Sequence, residues 1–353
     1  MSLTLTVDGA RWRAHLRGVA ESTPGLVPVA KGNGYGFSLG RLARKTQWLA
    51  EQGLGCDTLA VGTYEELPDV AQRYDGDLLV LTPWRTFHPQ PDPGLDRRVV
   101  HTVSRPDDLA ELLAARPGAR YVLELATSMR RHGMSTTELW SVARDSRSLG
   151  GRLEGVALHL PLAAGSHLAE VEQLLTDIVA AGLPTSTVWV SHLTRAELDT
   201  LRATYGDLTI RPRTGTDLWL GDRDALRVTS TVLDVHPLRR GDAFGYRGRS
   251  APRDGHLLVV SGGTAHGIGL ESPPGESDLR SRAKVAARGG MDALGRTRSP
   301  FWVDGRQRLF AEPPHMQASM LLLPSDARVP AVGDLVDARV RYTATTFDRV
   351  VIA

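Results

Sequence analysis

Val27-Pro28-Val29-Ala30-Lys31-Gly32-Asn33-Gly34-Tyr35-Gly36 joins a short apolar run, Leu26–Ala30, to a lysine and a turn with glycine at every second position. The run is short and β-branched, which suits a buried strand. A lysine ending such a strand is costly to keep charged, because burial disfavours the ammonium form. A neutral amine is what condensation with an aldehyde requires. The glycines after it let backbone approach a ligand closely, and Tyr35 then comes within reach of a phosphate.

Seven further runs of this kind lie along the chain: Leu59–Val61, Leu78–Thr82, Val99–Val103, Tyr121–Leu125, Gly155–His159, Thr187–Ser191 and Leu208–Ile210. Helical patterns lie between most of them. One runs from Ser38 with Leu42, Leu49 and Ala50 on one face. Two others open on the capping boxes Thr63-Tyr64-Glu65-Glu66 and Ser135-Thr136-Thr137-Glu138, and a fourth spaces Leu168, Val171, Leu175 and Ile178 along a helix. The prolines of Thr82–Arg98 mark a loop. Eight strands alternating with helices predict an α/β fold, a closed (β/α)8 TIM-like barrel over residues 9–227. The rival is a doubly wound sheet with a dinucleotide site, but no strand leads into a Gly-x-Gly-x-x-Gly turn.

Beyond Arg227 helical periodicity gives way to β-rich runs at Val228–Val235, Leu257–Ser261, Phe301–Val303, Met320–Leu323 and Leu335–Tyr342. These predict a C-terminal all-β domain over 228–353, joined by an N-terminal strand at 1–8. Glu271–Arg298, rich in Pro, Gly, Ser and Arg, reads as an inserted loop. Two domains also suit a chain of 353 residues.

Composition narrows the function classes. With 41% hydrophobic and 23% charged residues, the chain reads as an ordinary globular protein. A formal net charge of +2 gives no warrant for nucleic-acid binding. Cys56, the single cysteine, forms no internal disulfide and reads as a small buried hydrophobe. Met1–Asp8 carry neither the basic region of a signal peptide nor a long apolar run, so no membrane is expected and a cytoplasmic setting is.

In barrels of this kind chemistry sits at the carboxyl ends of the strands. The first predicted strand ends at Lys31, the sixth at His159 and the seventh at His192; Arg130 and Arg131 come after the fifth, and Arg213 after the eighth. Singly, each histidine is more often structural and each arginine more often a solvated rim. Their convergence on one end of one barrel is the signal.

The segment Lys31-Gly32-Asn33-Gly34-Tyr35-Gly36 resembles the cofactor-lysine motif of the alanine racemase family, Lys-Ala-Asn-Ala-Tyr-Gly, with both alanines replaced by glycine. Ala60-Val61-Gly62-Thr63-Tyr64-Glu65-Glu66 is similar to the family's second-strand segment. Leu123-Glu124-Leu125-Ala126-Thr127-Ser128-Met129-Arg130-Arg131-His132-Gly133 is similar to its strand-five motif, and Gly155-Val156-Ala157-Leu158-His159 to its strand-six segment. Arg213-Thr214-Gly215-Thr216 resembles its Arg-x-Gly motif, and Gly241-Asp242-Ala243-Phe244-Gly245-Tyr246 its β-domain base segment.

The resemblance implies pyridoxal 5'-phosphate as cofactor, a fold-type-III barrel plus β-domain, and an amino-acid racemase. Its two bases, Lys31 and Tyr246, exchange the α-proton on opposite faces. It implies further that Arg131 contacts cofactor and substrate, that His159 lies against the cofactor ring, and that Arg213 donates to the pyridine nitrogen. Phosphate falls to Tyr35, the amides of Gly215 and Thr216, and the hydroxyl of Thr194, with Ser191 next in line. His192 is implied as the partner that polarises Tyr246, and Met316 and Gln317 border the substrate. A homodimer with shared active sites is implied too, Tyr246 completing the partner's site. Glu124, where many relatives have a lysine, reads as a carboxylate partner for Arg131, or else as a plain surface ion pair.

Departures bear on substrate choice. Thr264 stands in place of a tyrosine that narrows the family's entrance, Gln317 in place of an aspartate, and the family's C-terminal Arg-Val-Pro-Arg-x-Tyr is absent. The expectation is a small amino-acid substrate with a longer or polar side chain rather than alanine. Two other readings stay open. One is a different fold-type-III reaction, aldol cleavage or decarboxylation; an aldolase of that type wants a metal site, for which His256, His266 and His315 lack tight spacing. The other is a silent cofactor-binding homologue, against which the β-domain and Tyr246 speak.

Overall fold

The structure, a computed structural model, describes residues 2–162, 165–270 and 297–353, with backbone alone for 145–149. The chain divides into two compact units, 13–221 and 1–12 with 222–353. The first is the expected barrel. Strands Val27–Ala30, Thr58–Val61, Asp77–Pro83, Val99–Val103, Arg120–Leu125, Arg152–His159, Thr187–Ser191 and Thr209–Thr214 are all parallel and close into a ring, first against eighth. Val27–Ala30, Thr58–Val61 and Val99–Val103 are buried along their whole length, as strands covered on both faces must be. Val27, Val29, Ala60, Leu79, Val100, Val122, Ala157 and Trp189 pack together as a core.

The helices form on their apolar faces. Leu39–Glu51 buries Leu42 and Leu49, and Leu168–Ala181 buries Val171, Leu175 and Ile178. Both expected capping boxes form, Thr63 with Glu66 and Ser135 with Glu138. Strand ends depart from the sequence reading. The eighth strand runs on through Pro212 to Thr214, so Arg213 lies inside it rather than after it. The fifth and sixth begin earlier, at Arg120 and Arg152, which pair with each other, and Arg120 reaches Asp77 at 2.5 Å and Glu154 at 2.7 Å. Cys56 is buried, and burial with nearby Asp57 pushes its thiol up to about 12.

The second unit is β-rich. Its ladder runs Gly255–Ser261, Ala318–Pro324, Arg306–Phe310, Arg298–Val303, Leu335–Ala338, Leu226–Leu238, then Leu3–Val7 and Arg349–Ile352. Leu226–Leu238 also pairs with Gly255–Ser261, through a register shift between Val232 and Asp234, so six strands close on themselves. Arg306–Phe310 escaped the sequence reading because arginines interrupt it, and Arg349–Ile352 because its apolar run is only three residues long. Leu335–Tyr342 stops as a strand at Ala338. The Glu271–Arg298 insertion lies outside the described residues except for Thr297 and Arg298. Among the described residues no helix is long and apolar enough to cross a membrane.

Candidate active site

The two ends of the barrel use their charges differently. At the amino ends of the strands arginines pair with acids: Arg120 with Asp77 and Glu154, and Arg211 with Asp57. At the carboxyl ends Lys31, Arg131 and Arg213 gather, and none of them forms an ion pair among the described residues. Strand register sets their level. His159 pairs with Ser191, Ser191 with Arg213, and Arg213 with Val27, four residues before Lys31.

Lys31 leaves the first strand into the barrel mouth. Burial of its stem, then the positive charges of Arg131 and Arg213, lower its ammonium below the ordinary lysine range. Glu66 fixes the loop after it. One carboxylate oxygen accepts from the Gly32 amide at 2.6 Å, and the other accepts from Gly62 at 2.6 Å and Thr63 at 3.3 Å. The first strand is tied below by the Trp219 indole, which donates to the Val29 carbonyl at 2.7 Å. Tyr35 takes a left-handed backbone, φ 55°, and its hydroxyl rests against Gly215, where a Cβ would collide with it. Burial, then Glu66, pushes this phenol up to about 12. Gly215 and Thr216 open the short helix Thr216–Leu220 beside that hydroxyl.

Arg213 is 6% exposed. Its Nη2 donates to the Leu158 carbonyl at 2.9 Å, while its buried Nε has no partner among the described residues. Burial lowers the guanidinium to about 10, against the pull of Glu124, so it stays charged. Glu124, 3% exposed, is no surface ion pair. Burial raises its carboxyl, opposed first by Arg213 and only then by Arg131 and Arg85. The expected partnership therefore shifts towards Arg213, and the Oε2 of Glu124 is left without a hydrogen bond.

His159 shares a 3.0 Å hydrogen bond between Nδ1 and Ser191 Oγ; burial, then Arg213 and Arg131, brings it down to about 3, so the ring is neutral. His192, at φ 61°, donates from Nδ1 to the Leu160 carbonyl at 2.6 Å, and burial lowers it as well. The two rings meet edge to face at 5.2 Å. Arg131 lies on the loop after the fifth strand. That loop is held where Thr127 donates to the His159 carbonyl at 2.6 Å and Ser128 donates to Glu170. Thr194 stands at the start of a helix. It caps helix Arg195–Thr204, and its hydroxyl donates to Glu197 at 2.8 Å.

Tyr246, Met316 and Gln317 belong to the second unit. Tyr246 is 87% exposed and Met316 73%. Backbone bonds from Gly262 to Gln317, Thr264 to His315 and Ala265 to Met316 bring Thr264 alongside them. The histidine against the Tyr246 ring within this unit is His315, at 4.7 Å between centroids. His256, His266 and His315 do not converge: His266 bonds Asp348 and Gly263, and His315 bonds Glu312. Sequence reading missed the loop-holding role of Glu66, whose capping box alone was visible, and missed Glu312 altogether.

The alanine racemase N-terminal domain model matches residues 7–196. The chain belongs to the alanine racemase family. An alanine racemase of Nitratidesulfovibrio vulgaris is 27% identical over 286 residues, 72% of each chain. Among solved structures, the alanine racemase of Bartonella henselae, with covalently bound pyridoxal phosphate, aligns with TM-score 0.68 at 17% identity, over 97% of this chain and 91% of its own. That of the D-cycloserine producer Streptomyces lavendulae aligns with TM-score 0.68 at 19% identity, over 100% and 97%. At these identities the solved structures speak for the fold: a parallel eight-stranded barrel followed by an antiparallel, strand-rich domain.

Proposed function

We propose that this protein is a pyridoxal-phosphate-dependent amino-acid racemase, with Lys31 and Tyr246 as its two bases. The observation that carries the reading is Arg213, a buried guanidinium with an unpartnered Nε, on the strand level of His159 and beside the lysine strand. A guanidinium only donates, so it suits a ring nitrogen that accepts. The rest of the mouth fits the same group. Lys31 offers an amine that is more readily neutral than an ordinary lysine's, and Tyr35 stays protonated and can donate to a phosphate oxygen beside the Gly215 and Thr216 amides. Neutral His159 offers an uncharged face for the ring.

When bound, pyridoxal phosphate supplies an electron sink that makes an amino acid's α-proton removable. Lys31 takes or returns that proton on one face, and its lowered pKa leaves more of the amine neutral and able to accept. Tyr246 serves the opposite face, as inversion of the centre requires. Arg131, Arg213 and Lys31 together make the mouth attractive to phosphate and carboxylate anions. Arg213 keeps its proton and could only donate to a ring nitrogen, an arrangement that would restrain side reactions such as transamination. Exposed Tyr246 suits a C2 homodimer in which each chain's tyrosine serves its partner's lysine. Thr264, beside the His315–Met316 segment, widens the substrate side, and Gln317 there carries no charge. The reading therefore includes a preference for side chains longer or more polar than alanine's.

The test is chiral chromatography of a panel of L-amino acids incubated with the cofactor-loaded protein, with kcat/KM for alanine against larger and acidic substrates. The expected result is racemisation, fastest on a substrate other than alanine. Clear preference for alanine would remove the substrate inference alone. A loaded protein that racemises no member of the panel would overturn the racemase reading.

A further inference from the structure

The described part of the second unit contains a buried carboxylate whose bonds all go towards one side chain's surroundings. Glu312 is 3% exposed. It accepts from the Tyr246 backbone amide, at 3.1 Å on Oε2 and 3.3 Å on Oε1, and pairs with His315 Nε2 at 2.7 Å. His315 in turn lays its ring against that of Tyr246, 4.7 Å between centroids and inclined by 55°. The turn is shaped to admit this carboxylate: Gly245 has φ +73°, and a Cβ there would strike the Glu312 carboxylate group. One buried acid thus grips Tyr246 from its backbone and, through a histidine, from its ring.

We propose that Glu312 and His315 are the positioning pair of Tyr246, fixing where its phenol stands while leaving the hydroxyl free to act. The inference rests on the reading of Tyr246 as a base. The physical reason is rigidity. A tyrosine on a turn between the two-residue strands Ala243–Phe244 and Arg249–Ser250 has little sheet to hold it. An exposed phenol without support samples several rotamers, and proton transfer demands one. A carboxylate accepting hydrogen bonds from both the amide and the imidazole N–H removes that freedom, and charge-assisted bonds of this kind are the strong ones. His315 also ties the tyrosine to the Met316–Gln317 segment, so base and substrate side would move as one piece.

The experiment places 3-fluorotyrosine at position 246 alone and follows its fluorine resonance in the cofactor-loaded protein, with Glu312→Gln, His315→Gln and His315→Phe as variants. Glu312→Gln keeps the shape but removes the charge and leaves a single acceptor oxygen, so it no longer accepts from both the Tyr246 amide and the His315 N–H. His315→Gln keeps a donor without the ring, and His315→Phe keeps a ring without the bond. The expected result is one narrow line in the parent, shifted towards the free amino acid and broadened in Glu312→Gln, with His315→Gln and His315→Phe each partly affected. In parallel, α-deuterium uptake from D2O is measured separately from L- and D-enantiomers of the panel substrates. Glu312→Gln should slow exchange from one enantiomer by roughly 10–100-fold, the scale of a misplaced catalytic group, while the other enantiomer and borohydride-trapped cofactor at Lys31 change little. An unmoved fluorine line in all three variants, or equal slowing of both enantiomers, overturns the proposal. A moved line together with a Tyr246→Phe protein that still exchanges both enantiomers at parent rates leaves the pair in place and removes Tyr246 from the catalytic reading.

Discussion

The barrel mouth and the Tyr246 turn are each built on one glycine that lets a side chain sit against bare backbone. In the barrel the Tyr35 hydroxyl rests on Gly215; in the β-rich unit the Glu312 carboxylate rests on Gly245. The support behind them differs. Lys31, His159 and Arg213 stand on parallel strands whose register brings distant residues to one level, and desolvation sets their proton affinities. Tyr246 stands on a turn, 87% exposed, held by one acid and one imidazole. A cradle whose parts are desolvated before any ligand arrives is suited to holding a cofactor permanently. A displayed phenol is suited to acting on something brought to it.

The strongest way to break this comparison is to remove one reagent from each region. Lys31→Ala should lose both activity and borohydride-trappable cofactor completely. Tyr246→Phe should keep the cofactor at Lys31 and lose about 10²–10⁴-fold in turnover, the usual contribution of a general acid or base. Mixing the two inactive proteins should restore about a quarter of the sites after subunit exchange, by statistical pairing in a shared-site dimer. The measurement is racemisation before and after exchange, with labelled subunits proving that exchange occurred. No recovery would place both bases on one chain.

A finer cut substitutes the two glycines. Gly215→Ala pushes Tyr35 off its seat, an overpacking worth about 1–3 kcal/mol, or roughly 5- to 150-fold in cofactor affinity. Gly245→Ala adds a left-handed strain to the clash with Glu312, and should lower turnover while leaving cofactor affinity unchanged. Equilibrium dialysis with pyridoxal phosphate and racemase turnover, measured on both proteins, separate the two. Equal loss of cofactor affinity in both would show that the regions are not independent.

These regions also differ in how far their chemistry could be read from sequence. Lys31, His159 and Arg213 were legible because a strand-end position is a local property, visible as an apolar run with a polar residue at or just beyond its end. The barrel itself was legible for the same reason, repeated eight times. Glu312 was not, since it meets Tyr246 across 66 residues of chain and its local setting, Glu312-Pro313-Pro314-His315, carries no pattern of its own. His315 was visible only as an isolated histidine. Glu66 was half legible: its helix cap is local, but its bond to Gly32 exists only once the first two barrel strands are neighbours.

The lowered proton affinity of Lys31 predicts a pH effect that sharpens the contrast further. Burial, then Arg131 and Arg213, disfavours the ammonium, so at a given pH more of this amine is neutral than in an ordinary lysine. Cofactor loading should rise with pH and pass its midpoint below the ordinary lysine value. Arg131→Gln removes a repelling charge, so its midpoint should climb and loading at neutral pH should slow. Absorbance-detected loading rates across neutral and alkaline pH check both directions. An unchanged midpoint in Arg131→Gln would remove Arg131 from the electrostatics of the mouth.

The smallest expected effect concerns Thr194, where the sequence reading and the geometry point to different duties. As a phosphate ligand, its hydroxyl would strengthen cofactor binding. As the cap of Arg195–Thr204, it accepts from the Glu197 amide at 3.3 Å and returns its proton to the Glu197 carboxylate at 2.8 Å. Glu197 is held elsewhere too, by Ser166 at 2.6 Å and the His167 amide at 2.8 Å, so the cap is one part of a network joining two loops. Losing a threonine cap costs about 1 kcal/mol, which in a unit of this size lowers the melting temperature by roughly 2–4 °C. Thr194→Ala should therefore melt earlier, and Thr194→Ser should recover most of the loss. Cofactor affinity, measured on the same proteins, should stay at the parent value in both. A Thr194→Ala protein that melts normally but releases the cofactor more readily would return its hydroxyl to the phosphate.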